Sequence, residues 1–265
     1  MTIKEVLKMK YNIVFFDVDG TLINYEDGCV EESTKQAIQL LQEKGIHLVA
    51  ATGRPLSMCY ELKALGIETF ITANGAYVKH KDLVIHKTPI AKEIVRNVQA
   101  FAQEQQHSLT FFTEQLSMNS IQSPVALRAM QETLSLRDFP LINEKIVDEE
   151  VFLMCLYADE LAEKRYTSQF SNIFLQRWHP YIVNVLQQDV SKSIAIKAVL
   201  DHFNIDPKNA IAFGDGDNDV DMLEYVGVGI AMGNGSKALK SVANFVTKTS
   251  TDGGINFALR QLQVI

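Results

Sequence analysis

At 265 residues the chain lies between one large domain and two ordinary ones, and its 47% apolar and 22% charged residues are globular in proportion, excluding disorder and a coiled coil. A formal charge of −7 argues against nucleic acid as the main partner, because phosphate backbones need a basic footprint. An acidic protein still binds a small phosphate ester when a metal ion and a few local cations or backbone N–H groups offset the repulsion.

The chain opens with Lys4, Glu5, Lys8 and Lys10, which do not read as a signal peptide. No later apolar run approaches the roughly 20 residues of a membrane span, so the expectation is a cytoplasmic protein with no membrane partner. Next, Ile13 to Phe16 is a continuous apolar run that ends in a turn, the pattern of a strand buried on both faces in a parallel sheet. Ser33 or Thr34 is expected to cap a helix with Ala37, Ile38, Leu40 and Leu41 on one face, and Gly45 to end it before a second apolar run, Leu48 to Ala51. This is a βαβ unit. Cys29, Cys59 and Cys155 are odd in number and lack CxxC spacing, so they support neither a disulfide framework nor a zinc site.

From about Leu83 to Gln187 the rhythm changes to long polar-faced helices and alternating strands, such as Val151 to Tyr157 and Tyr181 to Leu186, which reads as an inserted second domain. Strand–helix alternation then resumes: a helix at Ser193 to Phe203, a strand at Ala210 to Phe213, a helix after Asn218, an apolar run Val228 to Met232 and a helix from Ser236. The expectation is an α/β fold whose parallel-sheet core is discontinuous in sequence, 1–82 with 188–265, and carries 83–187 as an insertion.

Four clusters could carry chemistry. Asp17 to Thr21, DVDGT, follows the first strand, where ligands bind open α/β sheets. Two carboxylates two residues apart can divide the work, one attacking phosphorus and the other moving a proton. An isolated DxDG is as easily a plain turn, but an EF-hand is excluded because Leu22 and Gly28 occupy the places of its Gly and Glu. Gly214 to Asp219, GDGDND, again follows an apolar strand. So many crowded acidic and amide side chains call for a hard cation such as Mg²⁺ unless they form a solvated turn. In Ala51 to Pro55, ATGRP, Thr52 and Gly53 would offer a hydroxyl and amides at the start of a helix whose first turn suits Pro55, although such a pair is commonly only a turn and cap. Lys192, in DVSKS, is unremarkable as a lone lysine but lies where a cation could neutralise both a nucleophile and an incoming phosphoryl group. No GxxxxGK[ST] loop, GxSxG elbow or HExxH helix is present.

In this order the four clusters resemble the haloacid dehalogenase-like hydrolase superfamily, and ITANGA at Ile71 to Ala76 with GIAMGNG at Gly229 to Gly235 resembles its Cof-type branch. The resemblance implies a Rossmann-like parallel-sheet core with an inserted α+β cap of the C2 type. It also implies a phosphatase of small phosphorylated metabolites, with Asp17 as nucleophile and Asp19 as acid and base. Mg²⁺ would be held by Asp17, the Asp19 carbonyl and Asp215. Thr52, Gly53, Lys192 and Asn218 would bind the phosphoryl group, with Asp219 in support. Asp217 would be an added, solvated carboxylate. Caps of this superfamily govern substrate choice, with Arg177, His179 and Tyr181 as candidate contacts here and Trp178 as packing. Two rival functions are a phosphomutase or phosphotransferase using the same aspartyl phosphate, and a non-enzymatic receiver phosphorylated on Asp17. A monomer and a homodimer are both compatible with the sequence.

Overall fold

The structure is a computed structural model describing residues 11–171 and 173–265, so the opening stretch with Lys4, Glu5, Lys8 and Lys10 lies outside the described residues. The chain divides into two compact units, one formed by 11–53, 59–86 and 191–265 and the other by 54–58 and 87–190. Among the described residues no helix is long and apolar enough to cross a membrane.

The first unit begins with β1 (Ile13–Asp17), α1 (Glu32–Glu43), β2 (His47–Ala51), the short α2 (Tyr60–Ala64), β3 (Thr69–Thr72), β4 (Tyr77–His80) and β5 (Leu83–Lys87). Helix α1 is capped by Glu31 instead of Ser33 or Thr34: the Glu31 carboxylate accepts from the Thr34 N–H at 3.2 Å and from the Ser33 hydroxyl, which is thereby drawn away from a capping role. Gly45, at φ +71°, follows the end of α1 in the left-handed conformation that glycine adopts without strain.

The second unit holds α3 (Lys92–Glu104), β6 (Ser108–Phe112), β7 (Leu116–Met118), α4 (Pro124–Leu134), β8 (Leu141–Ile142), β9 (Leu153–Tyr157), α5 (Glu160–Gln169), β10 (Phe174–His179) and β11 (Ile182–Leu186). Its sheet runs β10-β11-β9-β6-β7-β8, antiparallel except for the β7–β8 pair. Alternation along the strands puts Leu109, Phe111, Met154, Leu156, Val183 and Val185 on one face, packed with apolar residues of α3 and α5 in a separate core.

The chain then returns to the first unit through α6 (Lys192–Phe203), β12 (Ala210–Gly214), α7 (Val220–Tyr225), β13 (Val228–Ala231), α8 (Lys237–Val242), β14 (Phe245–Val246) and α9 (Gly254–Gln261). Its sheet has the order β14-β13-β12-β1-β2-β3-β4-β5. The strands from β14 to β3 are parallel, and β4 runs antiparallel to β3. Ile13, Phe15, Val49 and Ala51 share a face with buried residues of α6, α7 and α8, while α1 and α9 pack on one another and α1 also meets β2. A parallel sheet of this kind offers the carboxyl ends of its strands as one edge for ligand contact.

Candidate active site

Register brings the sequence clusters together. Phe16 pairs with Phe213 across β1 and β12, and Asp17 pairs with Ala51 across β1 and β2. Three neighbouring strands therefore end level with one another, and the turns carrying Asp17, Asp215 and Thr52 leave the sheet side by side. Stacking of the Phe16 and Phe213 rings, centroids 5.4 Å apart, packs the two acidic strands together below the site.

Lys192 is the first residue of α6, capped by Ser191, whose hydroxyl accepts from the Ile194 N–H at 3.3 Å. A cation at a helix N-terminus is disfavoured by the macrodipole, but here two carboxylates outweigh that penalty. The Lys192 Nζ donates to Asp17 Oδ1 at 2.6 Å and to Asp219 Oδ1 at 2.5 Å, with the lysine only 1% exposed. The other oxygen of Asp219, Oδ2, accepts the backbone N–H groups of Asp215 at 3.0 Å and Gly216 at 2.9 Å. Both oxygens of Asp219 are thus engaged, which makes it an organiser of the turn and of Lys192. Gly214 permits this, since a Cβ there would stand 2.6 Å from the Asp219 Cβ.

Asp17, Asp215 and Asp219 are all buried, with ligand oxygens within 4.8 Å of one another. Three carboxylates face one ammonium. Burial and the Asp219 charge push Asp17 well above the ordinary carboxylate range despite Lys192, and burial with Asp219 pushes Asp215 up to about 6. Burial alone would lower the Lys192 pKa, but Asp17 and Asp219 reverse the effect and raise it. This set fits Mg²⁺ in chemistry and in charge: the donors are hard oxygens, and a divalent cation offsets the two negative charges that Lys192 leaves. With Asp219 committed elsewhere, Asp17 and Asp215 are the side chains suited to hold it.

Asp19 is half-buried on the same turn as Asp17, and its carboxylate is not one of the clustered three. Its carbonyl accepts from the Tyr25 hydroxyl at 2.8 Å. Tyr25 and Asp215 both crowd Gly20: a Cβ on this glycine, already at φ +87°, would lie 2.4 Å from the ring and 2.2 Å from the Asp215 carboxylate. Only glycine fits there.

Thr52 is buried; its N–H donates to the Ile71 carbonyl at 2.8 Å and its carbonyl accepts from the Asn74 N–H at 3.1 Å. The expected helix does not start beside Gly53. Pro55 opens only a 3₁₀ turn, closed by the Met58 N–H donating to the Pro55 carbonyl at 3.0 Å, and α2 begins at Tyr60. Any grip on an anion by Thr52 and Gly53 therefore comes from the loop itself. Asn218 is exposed and its Nδ2 donates to Asn74 Oδ1 at 3.3 Å; that same oxygen would lie 3.1 Å from a Cβ on Gly53. Asn74 thus joins the Thr52 loop to the Asn218 loop. It follows Ala73 with both residues in the left-handed region, φ 55° and 50°, a conformation that costs of order 1–3 kcal/mol at each non-glycine residue.

Asp217, expected to be solvated, accepts from the Ser236 hydroxyl at 2.5 Å. In the second unit Arg177 is occupied structurally: Nε donates to Glu163 at 2.7 Å, Nη1 to the His179 and Pro180 carbonyls at 3.2 and 2.7 Å, and Nη2 to the Ala158 carbonyl at 3.0 Å. Its guanidinium ties the β10–β11 hairpin to α5, so it is not an available anion ligand. His179 pairs with Glu132 at 3.2 Å and accepts from the Tyr181 N–H at 3.2 Å. Trp178 is half exposed and its indole donates to Asn184 at 2.9 Å. Tyr25, Asn74 and Asn234, the last described below, escaped the reading of roles from sequence. For Asn74 and Asn234 the available signal was their place inside ITANGA and GIAMGNG; Tyr25 had none.

Known proteins fit this arrangement. The haloacid dehalogenase-like hydrolase family matches residues 14–259. YkrA of Bacillus subtilis (strain 168), provisionally named a phosphatase, is 34% identical over 260 residues, covering 97% of this chain and all of the relative. The 5-amino-6-(5-phospho-D-ribitylamino)uracil phosphatase YitU of the same organism is 27% identical, covering 96% of this chain and 98% of its own length. Among solved structures, the subclass IIB sugar phosphatase BT4131 superposes with a TM-score of 0.82 at 29% identity, covering 96% of this chain and 100% of that one. Fold, motif order and match over nearly the whole length agree: the chain belongs to the haloacid dehalogenase-like hydrolases, in their Cof-type phosphatase branch.

Proposed function

We propose that this chain is a Mg²⁺-dependent phosphatase of small phosphorylated metabolites, sugar phosphates or similar esters, acting through an aspartyl phosphate on Asp17. The observation that carries the reading is the buried Lys192 ammonium shared by Asp17 and Asp219 at the carboxyl edge of a parallel sheet. An ion pair there is costly to bury for stability alone. It suits chemistry in which negative charge arrives and builds up.

In the first step an Asp17 carboxylate oxygen attacks phosphorus, the bond from phosphorus to the ester oxygen breaks, and Asp19 gives its proton to the leaving alkoxide. In the second, Asp19 as carboxylate takes a proton from a water whose oxygen attacks the same phosphorus, freeing inorganic phosphate and restoring Asp17. Lys192 holds Asp17 in place and offsets the charge on the phosphoryl oxygens, while Asp219 keeps Lys192 aimed at Asp17. Thr52, Gly53 and Asn218 grip the phosphoryl oxygens from loops that Asn74 joins. Asp17, the Asp19 carbonyl and Asp215 would hold Mg²⁺, which would supply charge neutralisation and alignment when bound.

Support for the substrate class comes from two of the three relatives described above, one named a sugar phosphatase and the other a phosphatase of a phosphorylated ribityl compound. The test is release of inorganic phosphate from sugar phosphates, nucleotides and an aryl phosphate, with Mg²⁺ and with chelator. The expected result is Mg²⁺-dependent release, fastest with sugar or sugar-alcohol esters. Transfer of the phosphoryl group to a second sugar without release would replace hydrolase by mutase, and release unaffected by chelator would contradict the metal.

A further inference from the structure

One exposed side chain outside the four motifs reaches both acidic turns. Asn234 lies in the loop between β13 and α8. Its Nδ2 donates to the Gly20 carbonyl at 2.8 Å and to Asp215 Oδ2 at 3.3 Å, and its Oδ1 accepts from the Ser250 N–H at 3.0 Å. The Ser250 bond sets the amide orientation, because a backbone donor is met only by the oxygen end. The NH₂ end therefore faces Gly20 and Asp215.

The loop is strapped to the same turn by its backbone. Met232 N–H donates to the Gly214 carbonyl and Ser236 N–H to the Asp215 carbonyl, each at 2.9 Å. Gly235 allows the close approach, since a Cβ there would stand 2.9 Å from the Met232 carbonyl oxygen and 3.3 Å from that of Asp215. Apart from Asn234, a side-chain donor to Asp215 is the Thr21 hydroxyl, which meets Oδ1 at 3.3 Å. Asn234 is thus a link between the second oxygen of Asp215 and the turn bearing Asp17 and Asp19.

We propose that Asn234 is a positioning residue for the cation site: by bridging the Gly20 carbonyl and Asp215 Oδ2 it holds two turns, 194 residues apart at Thr21 and Asp215, in the spacing a divalent cation requires. An amide suits the task. It donates to a carboxylate without adding a cation that would compete for the site, and without adding a fourth negative charge. The inference rests on the reading that Asp17 and Asp215 hold Mg²⁺, and outer partners of metal ligands characteristically influence affinity about 10–100-fold.

The experiment is calorimetric titration of Mg²⁺ into the full chain, as wild type, Asn234→Ala and Lys240→Ala, with melting of each in chelator. Lys240 Nζ donates to the Gly233 carbonyl at 2.6 Å, so its removal loosens the same loop without touching Gly20 or the Asp215 carboxylate. Asn234→Ala should weaken Mg²⁺ binding about 10–100-fold while Lys240→Ala binds as the wild type does. Equal affinity in wild type and Asn234→Ala overturns the inference. Weakening of both variants in proportion to their loss of melting temperature also overturns it, because loop integrity would then account for everything. A wild type that takes up no Mg²⁺ overturns the metal reading, and this inference with it.

Discussion

Lys192 decides the electrostatics of the site, because it is the ammonium set among three buried carboxylates. Removing it leaves Asp17 and Asp219 buried without their cation, a class of change that costs about 3–5 kcal/mol. Lys192→Ala should therefore melt lower than wild type in chelator, with a larger deficit at pH 8 than at pH 5, since burial holds Asp17 well above the ordinary carboxylate range and lets it protonate on acidification. An equal deficit at both pH values would speak against the charge argument. Asp215 supplies its own pH dependence: its folded pKa of about 6 lies above the unfolded value near 3.8, so the folded state holds its proton more tightly. This contribution favours the metal-free fold below about pH 4 and is lost as pH rises through about 6. Chelator melts across this range should show the decline, and saturating Mg²⁺ should remove it. At this scale the sequence made visible the residues in dense motifs, Asp17, Asp215, Asp219 and Lys192, whose side chains the fold gathers. It hid Tyr25 and the roles of Asn74 and Asn234, since each works through a partner far along the chain or through a carbonyl that any residue offers. Arg177, offered as a candidate contact only because it lies in the inserted unit, is occupied by four hydrogen bonds within that unit, and its sequence neighbourhood did not show them.

Elements place these residues by register and by capping. The run Ile13 to Phe16 and the run Ala210 to Phe213 were legible as buried parallel strands because they are short, apolar and followed by turn formers. That they are neighbours, with Phe16 opposite Phe213, was not written in either one. Helix starts were harder to read. A serine and a threonine in the first turn of α1 satisfied the usual rule, yet the Glu31 carboxylate took the cap, and Pro55 is followed by a 3₁₀ turn in place of the expected helix, with α2 beginning only at Tyr60. At the start of α6 a longer-range cap operates: Asp221, from α7, accepts the Ser193 N–H at 2.8 Å beside Lys192. Asp221→Ala should lower stability by about 1 kcal/mol, the usual worth of a helix N-terminal acceptor. It should also reduce kcat, because the helix end that aims Lys192 is loosened. A melting curve with steady-state kinetics on one preparation checks both, and an unchanged kcat would show that the helix end holds without it.

At the scale of the molecule, two hydrophobic cores stand apart in composition: one built on β1, β2 and α6, the other on β6, β9, β11, α3 and α5. Strand–helix alternation announced the first, and the shift to alternating strands with polar-faced helices announced a second kind of architecture between its halves. The strand order was not legible, because parallel pairing joins segments distant in sequence. Separate cores predict separable responses. Phe111→Ala, which empties a fully buried site in the second unit, should cost about 3–5 kcal/mol there. Hydrogen exchange should accelerate across 87–190 while β1 and β12 keep their protection; acceleration throughout would mean one cooperative unit.

The measurement that most directly tests the account is the intact mass of acid-quenched protein after brief exposure to a reactive ester with Mg²⁺, for wild type, Asp19→Asn and Asp17→Asn. Removing the acid and base at Asp19 should slow hydrolysis of the intermediate, so Asp19→Asn should gain the mass of one phosphoryl group, mapped by peptide analysis to Asp17. Asp17→Asn should stay unmodified, with turnover reduced by about 10⁴ or more. Phosphorylation of the Asp17→Asn protein, or near wild-type turnover by it, would contradict the assignment of Asp17 as the nucleophile.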